Sequence, residues 1–272
     1  SPLVAVDELV RLKEAYTNVD QKSIFNVNPF NKKGEVSLLN AFWRIVIINP
    51  LYKIFKKVNK PTLGESKNLR KTIKSFFTAD DFNKIKESGV EVVSAVVNLN
   101  TELSEMKSSN DYGYEDFLDW IWISANAPIF MTLVTKEGSE YVDGGIVEHV
   151  PIQEAIDKGA TEIDVIVHRT EGSYKNVDYI STNVLKLFTK VVDVMHKEIS
   201  KNDVSISKLR ALDEDVVINL HYTPYKLSQN SLVFDKKQMN EWWELGYEGI
   251  KNNNCEKEIY TISKDNLIKK IV

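Results

Sequence analysis

Three short runs of β-branched and apolar residues limit the fold of this chain more than any other feature. They are VEVVSAVVNLN at 90–100, TEIDVIVHR at 161–169 and DVVINLHYTP at 215–224. Runs of this length and composition fit buried strands. Around them the apolar spacing becomes helical. Val6, Leu9, Val10, Leu12 and Tyr16 mark a helix in 6–18, and further helical segments fall at 67–77, 115–127, 151–160, 184–200 and 236–252. Thr78 is placed to cap a helix from Ala79 to near Gly89; Pro151 and Gly159 bracket the 151–160 helix. The aromatic stretch 37–56 reads as a helix kinked at Pro50. This alternation predicts an α/β fold in which a mainly parallel central sheet is sandwiched by helices in three layers. No repeat or linker divides it, so residues 1–272 are expected to form one domain. In such sheets, sites lie at the carboxyl ends of strands. SEYVDGG at 139–145 is a short strand ending in a Gly-Gly turn, which places Asp143 at such an end.

Composition excludes some function classes. A net charge of -4 gives no electrostatic basis for binding nucleic acid. The single cysteine, Cys255, allows no disulfide within the chain. No apolar run approaches the ~18 residues that span a bilayer. The longest candidate, 41–55, is interrupted by Arg44, Asn49 and Pro50. With no signal peptide visible, the expected location is cytoplasmic or peripheral to a membrane. The chain opens SPLVAVDELV, with no initiator methionine and no first strand, as a fragment or processed product would. His149, His168, His196 and His221 have neither mutual spacing nor a cysteine partner suited to zinc, and no metal is expected.

Asp-Gly-Gly at 143–145 is by itself an ordinary turn signal. Its surroundings add specificity. ISANAPIF (123–130) precedes it, and it leads into Val150-Pro151 and AIDKGATEIDVIV. This order resembles the patatin-like phospholipase family, in which Ala-Ser-x-x-x-Pro-x-Phe is followed by a strand, Asp-Gly-Gly or Asp-Gly-Ala, a Pro-started helix, a Gly-Ala turn and a buried strand. TLGESKNLRKTIKSFF, VEVVSAVVNLNTEL and SQNSLVFDKKQMNEWWELGYEGIKN are similar to other segments of the family, so the resemblance runs over nearly the whole chain.

The resemblance implies a serine lipid acyl hydrolase with a Ser-Asp dyad and no cofactor. A hydroxyl is a weak nucleophile until a base takes its proton, and Asp143 matches the family's base. Gly144, Gly145, Pro128 and His149 would shape the site, with His149 standing where the family usually has asparagine. The implied partner is a lipid or ester, met at a peripheral membrane surface. The chain departs from the pattern at one place: no Gly-x-Ser-x-Gly elbow occurs in 1–272. Gly64-Glu65-Ser66 lacks the second glycine, and Ser1 has no glycine neighbour. The family places the elbow before the helix that VDELVRLKEAYTNVDQKSIF resembles, so the serine is expected upstream of residue 1. The alternative is a non-catalytic lipid-binding or interaction protein that lost the nucleophile.

Other residues carry plainer readings. Ser124 is expected to pack or hydrogen-bond near the site, and His221 to be structural. Trp120, Trp122, Trp242 and Trp243 suit a core better than a lipid groove. Ala41 to Phe55, with Lys53, Lys56 and Lys57, reads as a buried helix before a membrane-docking one. Asp80–Asp81 and Asp213–Asp215 read as solvated caps.

Overall fold

A computed structural model of the protein describes residues 1–31, 35–37, 39, 42–43, 62–167, 184–223, 232–251 and 257–260. The 41–55 segment, apart from Phe42 and Trp43, lies outside the described residues, as do His168 and Cys255. The chain divides into two compact units, Ser1–Gly144 with Asn230–Asn240, and Gly145–Gln229 with Glu241–Val272.

In the first unit, helices α1 (Pro2–Ala5), α2 (Leu9–Thr17) and α3 (Gln21–Ile24) precede α4 (Lys67–Phe76) and α5 (Ala79–Ser88). Helix α5 starts where the sequence indicates. The Thr78 side chain accepts from the Asp81 N–H, and Asp81 returns the bond to the Thr78 N–H, a reciprocal capping box. It ends at Gly89, whose φ of 73° is the left-handed conformation glycine adopts without a Cβ clash. Its apolar face, Phe82 and Ile85, packs with Phe77, Phe117 and Leu118. Helix α6 (Tyr114–Ile123) has Glu115 and Asp116 in its first turn, favourable for the helix dipole. It lies against strands β1 (Val93–Asn98), β2 (Leu103–Ser108) and β4 (Ser139–Asp143).

These strands, with β3 (Val134–Lys136), form a sheet in the order β2-β1-β4-β3. Every neighbouring pair is antiparallel, which corrects the expected mainly parallel central sheet. For β1–β2 and β3–β4 the cause is connection length, because parallel neighbours need a crossover of a dozen or more residues. β3 and β4 are joined by Glu137 and Gly138 alone, both at positive φ (54° and 82°), as a primed hairpin turn requires. β1 turns into β2 over Leu99–Glu102, where Asn98 Oδ1 accepts from the N–H groups of Asn100 and Thr101.

Trp120 is fully buried under this sheet, edge-on to Tyr141 with ring centroids 5.0 Å apart. Lys107 Nζ sits 4.4 Å and Lys136 Nζ 5.3 Å from its ring centroid. Burial alone would lower the Lys107 pKa, but the bond to Glu105 outweighs it and the ammonium is favoured. Trp120 and Trp122 are thus core residues.

Parallel pairing does occur in the second unit. β5 (Glu162–Val167) pairs parallel with β6 (Val217–Tyr222), joined through the 31-residue helix α8 (Val184–Glu214), and β7 (Lys257–Tyr260) adds antiparallel to β6. Helix α7 (Ile152–Asp157) contributes Ile152 and Ile156 to a core with Val165, Val167, Ile218 and Leu220. β5 is buried on one face only, since Glu162, Asp164 and Ile166 alternate outward. His221 lies on β6, its Nε2 3.0 Å from Asp164 Oδ1 on the paired strand.

Candidate functional site

Asp143 is the last residue of β4 and pairs with Val96 of β1. Strand β3 ends short of it, pairing no further than Val134 with Tyr141. At Asp143 a different acceptor takes over: its N–H donates to the Asn126 carbonyl at 3.2 Å. The aspartate is half-buried. The chain then turns through the 3-10 segment Gly144–Ile146.

Gly144 is required by packing. A Cβ there would lie 2.6 Å from the Ala95 carbonyl carbon and oxygen, within the backbone of β1. A strand backbone inside a sheet has little room to retreat. Gly144→Ala is expected to lower stability by about 2 kcal/mol, read as a fall in the urea unfolding midpoint. A midpoint equal to that of the parent protein would show that the sheet yields.

Pro128 lies in the segment linking α6 to β3, half-buried. Its successor Ile129 has φ of 73°, a strained conformation for a β-branched residue. Contacts on both sides hold it, as the Ile129 carbonyl accepts from the Leu63 N–H at 2.7 Å and Met131 N–H donates to the Ala127 carbonyl. Asn126 itself is 1% exposed. Its Oδ1 accepts from the hydroxyl of fully buried Ser66. Ser66 N–H donates to Thr132 Oγ1 at 2.7 Å, Thr132 N–H returns to Ser66 Oγ at 3.2 Å, and Trp122 Nε1 donates to the Ser66 carbonyl. Ser66 is therefore locked inside, not displayed as an elbow nucleophile would be. Sequence gave no signal for this network, whose members lie 60 and 66 positions apart.

Asp143, Gly144 and Pro128 belong to the first unit, Gly145 and His149 to the second. His149 is exposed, and its N–H and that of Val150 both donate to Asp203 Oδ2, at 2.8 and 3.0 Å. Asp203, on α8, thus holds the backbone entering α7. The His149 ring stacks on His196 at 5.8 Å. Burial first, then the nearby His149 charge, holds the His196 pKa below its usual value.

A family model, patatin-like phospholipase, matches residues 3–156, more than half of the chain and the whole span around Asp143. The chain belongs to the patatin-like phospholipase family. Membership agrees with an α/β architecture and places the protein among hydrolases that act on lipids. No match is found among curated proteins. Among the described residues, no helix of this family member is long and apolar enough to cross a membrane.

Proposed function

We propose that the protein is a lipid acyl hydrolase in which Asp143 is the general base of a Ser-Asp dyad. The family match across 3–156 carries the reading, because it spans a strand-end carboxylate followed by a packing-required glycine. The serine, on a Gly-x-Ser-x-Gly elbow, is outside residues 1–272. Its hydroxyl proton passes to the Asp143 carboxylate as its oxygen attacks the ester carbonyl carbon. Glycine-rich backbone N–H groups near the elbow stabilise the oxyanion. The tetrahedral intermediate expels the alcohol, which takes the proton from Asp143. Asp143 then deprotonates a water that attacks the acyl-enzyme carbonyl, and the departing serine oxygen takes that proton back as the fatty acid leaves. The lipid is met at a membrane surface, with no cofactor.

Hydrolysis of p-nitrophenyl esters of increasing acyl length tests this. The full gene product should turn them over, and residues 1–272 alone should not. Turnover by residues 1–272 alone would place the nucleophile elsewhere and overturn the dyad. A second reading, a lipid-binding protein without catalysis, is favoured by the missing elbow in 1–272. It expects vesicle binding and no turnover by either form.

A further inference from the structure

We infer that Asn126 is a positioning residue that holds Asp143 for its work as base, through a buried lock with Ser66 and Thr132. The inference rests on the reading of Asp143 as the base.

The geometry runs in one chain of contacts within the first unit. Asp143 N–H ends on the Asn126 carbonyl at the point where β3 no longer reaches β4. Strand pairing to Val96 fixes one edge of Asp143, and Asn126 fixes the other. Asn126 lies between the end of α6 and the strained Ile129, a segment with no ladder of its own to hold it. Its N–H donates to the Ile123 carbonyl at 2.9 Å, and its side chain is anchored on Ser66, which is itself tied to Thr132 and to Trp122 of α6.

The anchor has a thermodynamic cost that packing does not explain. Asn126 Nδ2 is buried and finds no hydrogen-bond partner among the described residues. A buried N–H without an acceptor is unfavourable, and a small apolar residue would avoid it. The orphan lies in the same segment as the strained Ile129, and strained and under-satisfied groups gather where geometry serves chemistry. Catalytic geometry is demanding: displacements of ~1 Å cost up to about a hundredfold in rate.

The test uses two variants and two readouts. In Asn126→Ala, loss of packing is offset by loss of the orphan amide, and Ser66 Oγ keeps Thr132 Oγ1 at 3.2 Å. Its thermal midpoint should stay within about 2 °C of the parent. In residues 1–272, the Asp143 amide should exchange with solvent at least ~10 times faster, while the Val142 amide is unchanged. In the full gene product, kcat for a p-nitrophenyl ester should fall about 10- to 100-fold with KM preserved. Ser66→Ala, which frees the Asn126 side chain from the other end, should shift both readouts the same way and stands in if Asn126→Ala does not fold. Parent values for Asp143 exchange and kcat in both variants would overturn the inference. A kcat loss that merely follows a fall in thermal midpoint would also overturn it, as that marks a structural role. Asp143→Asn is the control: full activity there means the base assignment has failed, and the inference with it, whatever the Asn126 variants do.

Discussion

Asp143→Asn is expected to reduce ester hydrolysis by the full gene product about 10³- to 10⁴-fold, with KM little changed. Asparagine keeps the size and the backbone bond to the Asn126 carbonyl, since that bond uses only the N–H of residue 143. It cannot accept the serine proton. Proton transfer by a positioned base contributes up to about 10⁴ in rate, and the oxyanion donors remain to give residual turnover. Because the site is at a strand end and half-buried, the fold should be kept. The check pairs initial rates with the urea midpoint. Undiminished rates at an unchanged midpoint would remove Asp143 from the reaction.

Asp81→Ala is expected to cost about 3 kcal/mol of stability. Asp81 is 2% exposed and takes both terminal nitrogens of Arg11, at 2.9 and 2.7 Å. It also closes the Thr78 capping box. Removing one partner of a buried pair leaves the other charge uncompensated. The figure stays at the lower end because the Arg11 side chain is 29% exposed and also contacts Glu8. The pH dependence follows. The Arg11 bond, and then the Thr78 bonds against the opposing effect of burial, hold the Asp81 pKa well below the usual carboxylate range. A carboxylate with a depressed folded pKa adds stability above its unfolded value near ~4, and that stability is lost as pH falls towards the folded one. Asp81→Ala should therefore narrow the stability gap between pH 6 and pH 2 in urea titrations. An acid limb as steep as that of the parent would show that other carboxylates dominate it.

Most helices and four strands were legible in the sequence, and Thr78 and Gly89 marked the start of α5 and the neighbourhood of its end. Strand direction was misread. Alternating strands and helices suggested crossovers, yet the strands missed between them, Leu103–Ser108 and Val134–Lys136, change the topology. LSEMKS lacks the β-branched run that marks a strand, and a three-residue strand has no period to detect. Asp81 read as solvated because nothing local reveals Arg11, 70 positions away. The candidate base was legible because Asp-Gly-Gly sits among ordered family motifs. Its support from Asn126 and Ser66 was not, since buried polar networks depend on which distant segments meet.

The central claim concerns a serine and an aspartate acting as one unit, and an active-site-directed fluorophosphonate addresses both at once. Intact mass and peptide mapping of the full gene product should show one adduct, on the serine of a Gly-x-Ser-x-Gly peptide outside residues 1–272. The Asp143→Asn form should label far more slowly. No adduct on the full gene product, or equal labelling of the two forms, would contradict the account.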